Sequence, residues 1–450
     1  MKKILKYAAA FLLPVFFAQA VPAAAEEYTI DTYLTAVERN NKDLQIARKN
    51  TASAKQGMHQ ALSALLPSAG VSAGYNRNLK DIKQSTAVYA YDAGLNGVYP
   101  LHYENVDSNY DNEITAAVGV NMNIFDPAAE GSYQQAKKNY QIEGASEEFT
   151  RQNLITNAKE LYAQVLLLNG VVTVKKETAE TSEAVYRNQE KKYNAGTITE
   201  LDLRMAEVDW KNDLTAAAEA AKNAAIGMMS LKTLAGIPQA AEMVLIDDNE
   251  ALPALPEKTD VEKVLADRGD YRIALLAKDI ADLSWRNSLT AYLPTVTGSF
   301  SVAYGQYGGY EGKDDWDAYD YTAATIGMKI TLPLFTGGYR TSTMLDAKIK
   351  QQKAALQIEQ KRDQIEQDLM SAQLRMEEAQ QRIESAKTLQ QTAERAATLA
   401  RVALDNGMGT QLSVSQSDTQ LALAKLGLQN AIYDYRAAYY DWEFACGKTE

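Results

Sequence analysis

Between positions 339 and 404 the chain holds neither proline nor glycine, and its small and apolar residues keep a seven-residue beat: Ile358, Ile365, Ala372, Ala379, Ala386, Ala393 and Ala400. A second line, Leu369, Met376 and Ile383, runs four positions later. Earlier in the chain Leu154, Leu161 and Leu168 beside Ala158, Val165 and Val172 set up the same pattern. Two lines at this spacing predict helices packed side by side, with alanines letting the backbones approach closely. A helix of some 65 residues spans roughly 100 Å, far more than a compact domain requires. On the heptads alone, a structural coiled coil is the plainer reading.

Four other stretches change to a period of two. In 112–125, Ile114, Ala116, Val118, Val120, Met122 and Ile124 oppose Thr115, Ala117, Gly119, Asn121 and Asn123. In 294–305, Val296, Phe300, Val302 and Tyr304 oppose Thr297, Ser299, Ser301 and Ala303. In 321–335, Ile326, Met328, Ile330, Leu332 and Leu334 oppose Thr325, Gly327, Lys329 and Thr331. The weakest, 67–76, sets Ala69, Val71, Ala73 and Tyr75 against Ser68, Gly70, Ser72 and Gly74. Such alternation puts each set on one face of a strand. A soluble sandwich alternates in the same way. Here the strands have the length that crosses a bilayer with tilt, and tyrosines gather at their ends as interfacial girdles do. The second face is small and polar, and Asn121, Asn123 and Lys329 suit a watery lumen. The stretches 76–111 and 306–320, rich in Gly, Asn, Asp and Tyr, read as exposed loops.

Open strand edges cannot sit in lipid, and four strands are fewer than the smallest single-chain barrel. The barrel must be shared between chains. A dimer of eight strands and a trimer of twelve both satisfy the arithmetic.

The chain is also written twice. Asp43-Leu44-Gln45-Ile46-Ala47 leads to Leu66-Pro67, and Asp270-Tyr271-Arg272-Ile273-Ala274 leads to Leu293-Pro294, with the proline 24 positions after the aspartate in both. Gly196-Thr197 with Leu201 and Leu203 matches Gly407-Met408 with Leu412 and Val414, and Leu234-Ala235-Gly236 matches Ala445-Cys446-Gly447, all at an offset of 211. The copies are 26–236 and 258–450, joined by a linker at 237–257 that carries Pro238, Pro253 and Pro256. Each copy is predicted to hold a helix, two strands and a pair of long helices.

Composition adds a destination and removes several functions. Lys2, Lys3 and Lys6 precede an apolar stretch at 7–21 and a small-residue exit at Ala23-Ala24-Ala25, with Ala18-Gln19-Ala20 as a second cleavage site, so 1–25 reads as a signal peptide. Losing those lysines makes the formal charge of −12 more negative still, which argues against a nucleic-acid partner. No later apolar run approaches the length of a spanning helix, so a membrane would be crossed with strands. Cys446 is the single cysteine, and His59 and His102 stand apart from it and from each other. No metal-ligand spacing, phosphate loop, nucleophile elbow or dinucleotide fingerprint appears. No catalytic residue, metal or cofactor is expected. Asp314, Asp315 and Asp317 beside Trp316 read as a solvated turn rather than a calcium loop.

With these features in place, the chain resembles the TolC-like outer-membrane efflux factor family over nearly its full mature length. The pieces that carry the resemblance are Tyr28-Thr29-Ile30-Asp31, Leu66-Pro67, Tyr292-Leu293-Pro294, Leu332-Pro333-Leu334-Phe335-Thr336-Gly337-Gly338, Tyr193-Asn194-Ala195-Gly196-Thr197 and Asp405-Asn406-Gly407-Met408, in that family's order and spacing. The resemblance implies a mixed α+β membrane protein and a homotrimer. Its twelve-stranded barrel would stand in the outer membrane of a Gram-negative-type envelope, and its helical tunnel would cross the periplasm. It further implies a passive export duct that docks on a periplasmic adaptor and an inner-membrane transporter. The adaptor would meet the hairpin tips, Gly196, Thr197, Gly407 and Met408. The periplasmic aperture would fall at Leu201, Asp202, Leu412, Ser413 and Gln416. Matched by the turn glycines, Asp202 takes the place of one member of the family's closing network, while its basic partner falls on Gly409 and an expected tyrosine on Leu404. The aspartates that can ring the constriction fall on Ser413 and Gln416, so the acidic ring is missing. Asp418 is near, but its spacing puts it on a different part of the helix. The competing reading is a periplasmic coiled-coil adaptor with no pore, which would carry compact β-rich modules around one hairpin.

Overall fold

The computed structural model describes residues 26–80, 83–92, 97–107, 111–246, 252–256, 260–308 and 319–448. The expected leader at 1–25 and the turn expected around Trp316 lie outside the described residues. In chain order the first copy holds β1 (Glu26–Tyr28), α1 (Ile30–Asn40), α2 (Lys42–Ser63), β2 (Ser68–Arg77), β3 (Lys83–Asp92), β4 (Gly97–Asp107), β5 (Asn112–Phe125), α3 (Pro127–Asn194) and α4 (Glu200–Leu234). Then come β6 (Met243–Leu245), α5 (Val261–Asp267), α6 (Gly269–Thr290), β7 (Thr295–Gly308), β8 (Tyr319–Thr331), α7 (Tyr339–Asp405) and α8 (Gln411–Ala445). No helix among the described residues is long and apolar enough to cross a membrane.

The chain forms two compact units, and α3 and α7 each contribute to both. One unit, 47–147 with 269–363, carries an antiparallel sheet in the order β2-β5-β7-β8. Its helices are tied by side chains: Lys138 on α3 pairs with Asp279 on α6 across the copies at 2.8 Å, and within the second copy Gln351 on α7 donates to Asp282 on α6 at 2.8 Å.

The other unit, 1–46, 148–268 and 364–450, is helical. Ile365, Leu369, Ala372, Met376, Ala379, Ile383, Ala386 and Ala393 are all buried, so the heptad seam of α7 is a packing seam. Met376, Ala379 and Ile383 meet Ala431, Tyr435 and Ala438 of α8. In the first copy Leu154, Ala158 and Val165 close a core with Tyr33, Val37, Leu44, Leu231 and Ala235. Fully burying one such leucine contributes about 1.5–3 kcal/mol, against about 1–2 kcal/mol for fixing the backbone of each residue, so the whole seam is needed to hold a long helix pair.

Four sequence expectations need correction. The stretch 76–111 is not a simple loop, because β3 and β4 pair as an antiparallel ribbon with a register shift between Val88 and Tyr89. The linker carries β6, which pairs in parallel with β1. The last strand stops at Thr331 rather than 335, since Pro333 has no N–H to give a ladder. The opening helix of each copy is two helices. Asn41 breaks the first pair, its Oδ1 accepting from the N–H groups of Asp43 and Leu44 at 2.8 and 3.1 Å, which caps α2. Arg268, in an extended conformation, breaks the second.

Candidate functional site

Cross-strand partners share a face, so the register sorts the sheet residue by residue. Ala69, Val120, Phe300 and Ile326 form one continuous row, and Val71, Val118, Val302 and Ala324 form the next. On the opposite face run Ser68, Asn121, Ser299 and Gly327 before the first of these rows, and Gly70, Gly119, Ser301 and Thr325 between the two. One face is therefore apolar across all four strands up to the row of Ile114, Gln306 and Asp320, and most of it is exposed, including Val71, Ile326 and Met328. The other face is small or polar along most of its length and ends in Tyr307, Tyr319 and Tyr321. Asn121, Asn123 and Lys329 all lie on it, with Asn123 and Lys329 flanking Thr297. Asn123 has a structural duty as well: its Nδ2 donates to the carbonyl oxygen of Ala64 at 3.0 Å, beside a bulge in β5. Tyr307, Tyr319 and Tyr321 cluster at one end of the sheet, with ring centroids 6.0 to 6.4 Å apart.

The two hairpin turns are built alike. Gly196 and Gly407 take φ of +70° and +72°, a region that side chains with a Cβ rarely adopt. The N–H of Thr197 reaches back to Lys192 O, and that of Met408 to Ala403 O, both at 2.9 Å, which closes each helix with a left-handed residue. Each following helix begins with a reciprocal cap. Thr199 accepts from the N–H of Asp202 while the Asp202 carboxylate accepts from the N–H and hydroxyl of Thr199. Thr410 and Ser413 repeat the backbone exchange. Two of the expected aperture residues, Asp202 and Ser413, thus have their side chains engaged in helix caps. Leu203 and Val414 point into the core, whereas Leu201, Leu412 and Gln416 are exposed. Thr197 and Met408 are well placed beside the turns, Met408 being largely exposed.

Sequence reasoning missed the side chains that tie hairpin to hairpin. Gln189 bonds Gln411 at 2.9 Å, Ser415 donates to Asp209 at 3.3 Å and Lys425 pairs with Glu177 at 2.8 Å. All but Gln189 border a cleft of about 630 Å³, with Asp213, Asp418 and Thr419. Asp418 faces Arg401 at 2.6 Å. Burial pushes its carboxyl upward while the guanidinium opposes the shift. Arg401 lies six positions before the turn glycine Gly407 and Asp418 eleven after it, so counting outward symmetrically from the turn would not have paired them.

The model of the family described as outer membrane efflux protein matches residues 34–237 and 264–447, one stretch in each copy. The chain belongs to that family. This outer membrane efflux protein is 22% identical to the outer membrane protein TolC of Salmonella enteritidis, over 91% of its own length and 79% of that protein's. Against TolC of Vibrio cholerae it is also 22% identical, over 94% of its own length and 92% of the relative's. Solved outer-membrane channels share the fold: Campylobacter jejuni CmeC with a TM-score of 0.74 at 18% identity, covering 93% of this chain and 86% of that one, and Vibrio cholerae VceC with 0.72 at 18%, covering 93% and 96%. The efflux protein is thus an outer-membrane export channel that extends into the periplasm, and its family is one of ducts rather than enzymes.

Proposed function

We propose that three copies of this chain close one twelve-stranded barrel in the outer membrane and continue it as a helical duct. A periplasmic adaptor would dock at Gly196, Thr197, Gly407 and Met408, and an inner-membrane transporter would supply the energy. The observation that carries this reading is the register. It makes one face apolar and the other polar over four strands, yet leaves β2 and β8 each with a single neighbour among the described residues. Such edges need partners before they can enter lipid, and β8 of one copy against β2 of the next supplies them. Val120→Arg or Met328→Arg should block insertion, since a basic residue at mid-bilayer costs about 2–4 kcal/mol. Asn121→Arg should insert and alter conductance in planar bilayers. Equal damage from all three would reverse the assignment of faces. Photo-crosslinkers at Thr197 and Met408 should trap the adaptor in cells, and capture of outer-membrane components alone would count against the tips.

At the aperture the reading assigns closure to Leu201 and Leu412 rather than to an acidic ring. Ser413 and Gln416 create no strong cation-binding field, so multivalent cations should block the parent channel weakly. Ser413→Asp with Gln416→Asp should introduce tight block from the periplasmic side in single-channel recordings. A double variant that blocks like the parent would remove these residues from the mouth.

A further inference from the structure

Beyond the end of β8 the outward pattern continues without a ladder to hold it. Leu334 and Phe335 are 88% and 87% exposed, more than almost any other large apolar residue of the chain. Gly337 and Gly338, with φ of +59° and +83°, then reverse the backbone into α7, whose first residue, Tyr339, is also exposed. The second residue of that helix is Arg340. A cation there opposes the helix dipole. Its guanidinium lies over the ring of Tyr292, 5.3 Å from the centroid, and Tyr292 in turn holds Thr341 through their hydroxyls at 3.5 Å. Nη2 of Arg340 is shielded from solvent and hydrogen-bonds to nothing. No carboxylate among the described residues pairs with this arginine. The first copy does the opposite at the same junction. There Asp126 accepts from the N–H groups of Ala128 and Ala129, both at 3.1 Å, and puts a negative charge at the start of α3.

A braced arginine without a counter-ion, next to two bare apolar side chains and two interfacial tyrosines, fits one occupant. We propose that this segment is a phospholipid site at the periplasmic rim of the barrel. Leu334 enters the acyl layer in the parity of the outward face of Ile326, Met328 and Ile330, and Phe335, freed from the ladder that ends at Thr331, enters beside it. Arg340, set by Tyr292, binds the head-group phosphate in charge-assisted hydrogen bonds. This rests on the sheet being the barrel wall. A bilayer offers at this depth both the hydrocarbon and the anion that the segment lacks. The site belongs to the second copy alone, because the first spends the equivalent junction on Asp126.

The test is native mass spectrometry of the assembled protein in detergent, titrated with phosphatidylglycerol. One lipid per subunit should survive activation in the parent. Arg340→Gln should weaken retention about tenfold or more, the loss expected when a charged hydrogen bond is removed. Arg340→Lys should fall between them. Undiminished retention in Arg340→Gln, with conductance intact, overturns the lipid site while leaving the channel standing. A parent that never conducts fails the channel reading instead. If Arg340→Gln does not assemble, a photo-crosslinking residue at Phe335 in the otherwise unaltered chain decides the matter. Adducts of lipid mass support the site, and subunit-to-subunit adducts show that a second copy covers this face.

Discussion

Where its second long helix ends, each copy must satisfy the same orphaned carbonyl groups, and the two copies do so with different side chains. In the first, Asn41 donates its amide to Leu234 O at 3.0 Å while its own oxygen caps α2. In the second, Arg268 reaches Ala445 O and Phe444 O at 3.4 Å, stacks 5.2 Å over the ring of Phe444 and lies 3.8 Å from Asp368. Both helices then end on a left-handed glycine, Gly236 and Gly447, with the same pair of backbone bonds. Duplication preserved backbone geometry and let the chemistry drift. The geometry has few solutions, whereas any donor of suitable reach can satisfy a carbonyl.

The widest gap between the copies should appear on truncation at this junction. Arg268→Ala strands two carbonyls and an apolar stack in a site that is almost fully buried, and should cost about 3 kcal/mol. Asn41→Ala loses a cap and one buried bond, about 2 kcal/mol. Urea unfolding in detergent compares them, and equal midpoints would mean that the two side chains are energetically interchangeable.

The glycines sharpen the comparison along the other axis, tip against junction. A Cβ at Gly236 would sit 3.0 Å from the Asn40 side chain, and one at Gly447 would sit 3.1 Å from the Asp267 backbone. At Gly196 and Gly407 nothing lies within 4 Å. Alanine should therefore cost about 2–3 kcal/mol at the junctions and about 1 kcal/mol at the tips. Thermal melts of the four variants should fall into those two pairs.

Smaller effects separate the caps. Thr199→Ala and Thr410→Ala should each cost about 1 kcal/mol. Ser413→Asp should be neutral within a few tenths, because it writes the first copy's box into the second. Loss of stability in Ser413→Asp would mean that the serine has a further partner in the assembly.

The smallest expected effect is a pH dependence that one carboxyl of the first copy introduces. Glu160 is pushed up to about 7, first by burial and then by Asp441, which itself holds Arg375 at 2.8 Å. Its place in the second copy is taken by Ser371. A raised folded-state value means that the native protein binds the extra proton, so stability falls as pH rises from the ordinary carboxylate range through about 7. Glu160→Gln should flatten the change in melting temperature between acid and mildly alkaline buffer. An unaltered slope would place the proton elsewhere.

What the sequence made legible was whatever repeats over many residues. The α7 seam, the alternation in β5 and β7 and the offset of 211 each draw on long runs. What it hid was short or shifted. β1 and β6 are three residues each, too few for a period to emerge. The shift between Val88 and Tyr89 breaks the alternation of β3 and β4. The caps at Asp202 and Ser413 are marked in the sequence by a Thr three positions earlier, but the same positions also match the family's gate, and one side chain cannot show from sequence which of the two it serves. Arg401 and Asp418 needed the pairing of two helices, which a single helix face does not reveal.

β1 joins β6 in parallel, and the hydroxyl of Tyr162 shares its proton between the carbonyl oxygens of Tyr28 and Ile246, at 2.8 and 2.7 Å. Parallel neighbours cannot be joined by a tight turn, and here roughly two hundred residues intervene. A chain delivered across a membrane from its N-terminal end must therefore hold Glu26–Tyr28 idle until Met243 arrives. A segment that emerges early is among the last to settle, so the first copy cannot lock before β6 has followed it.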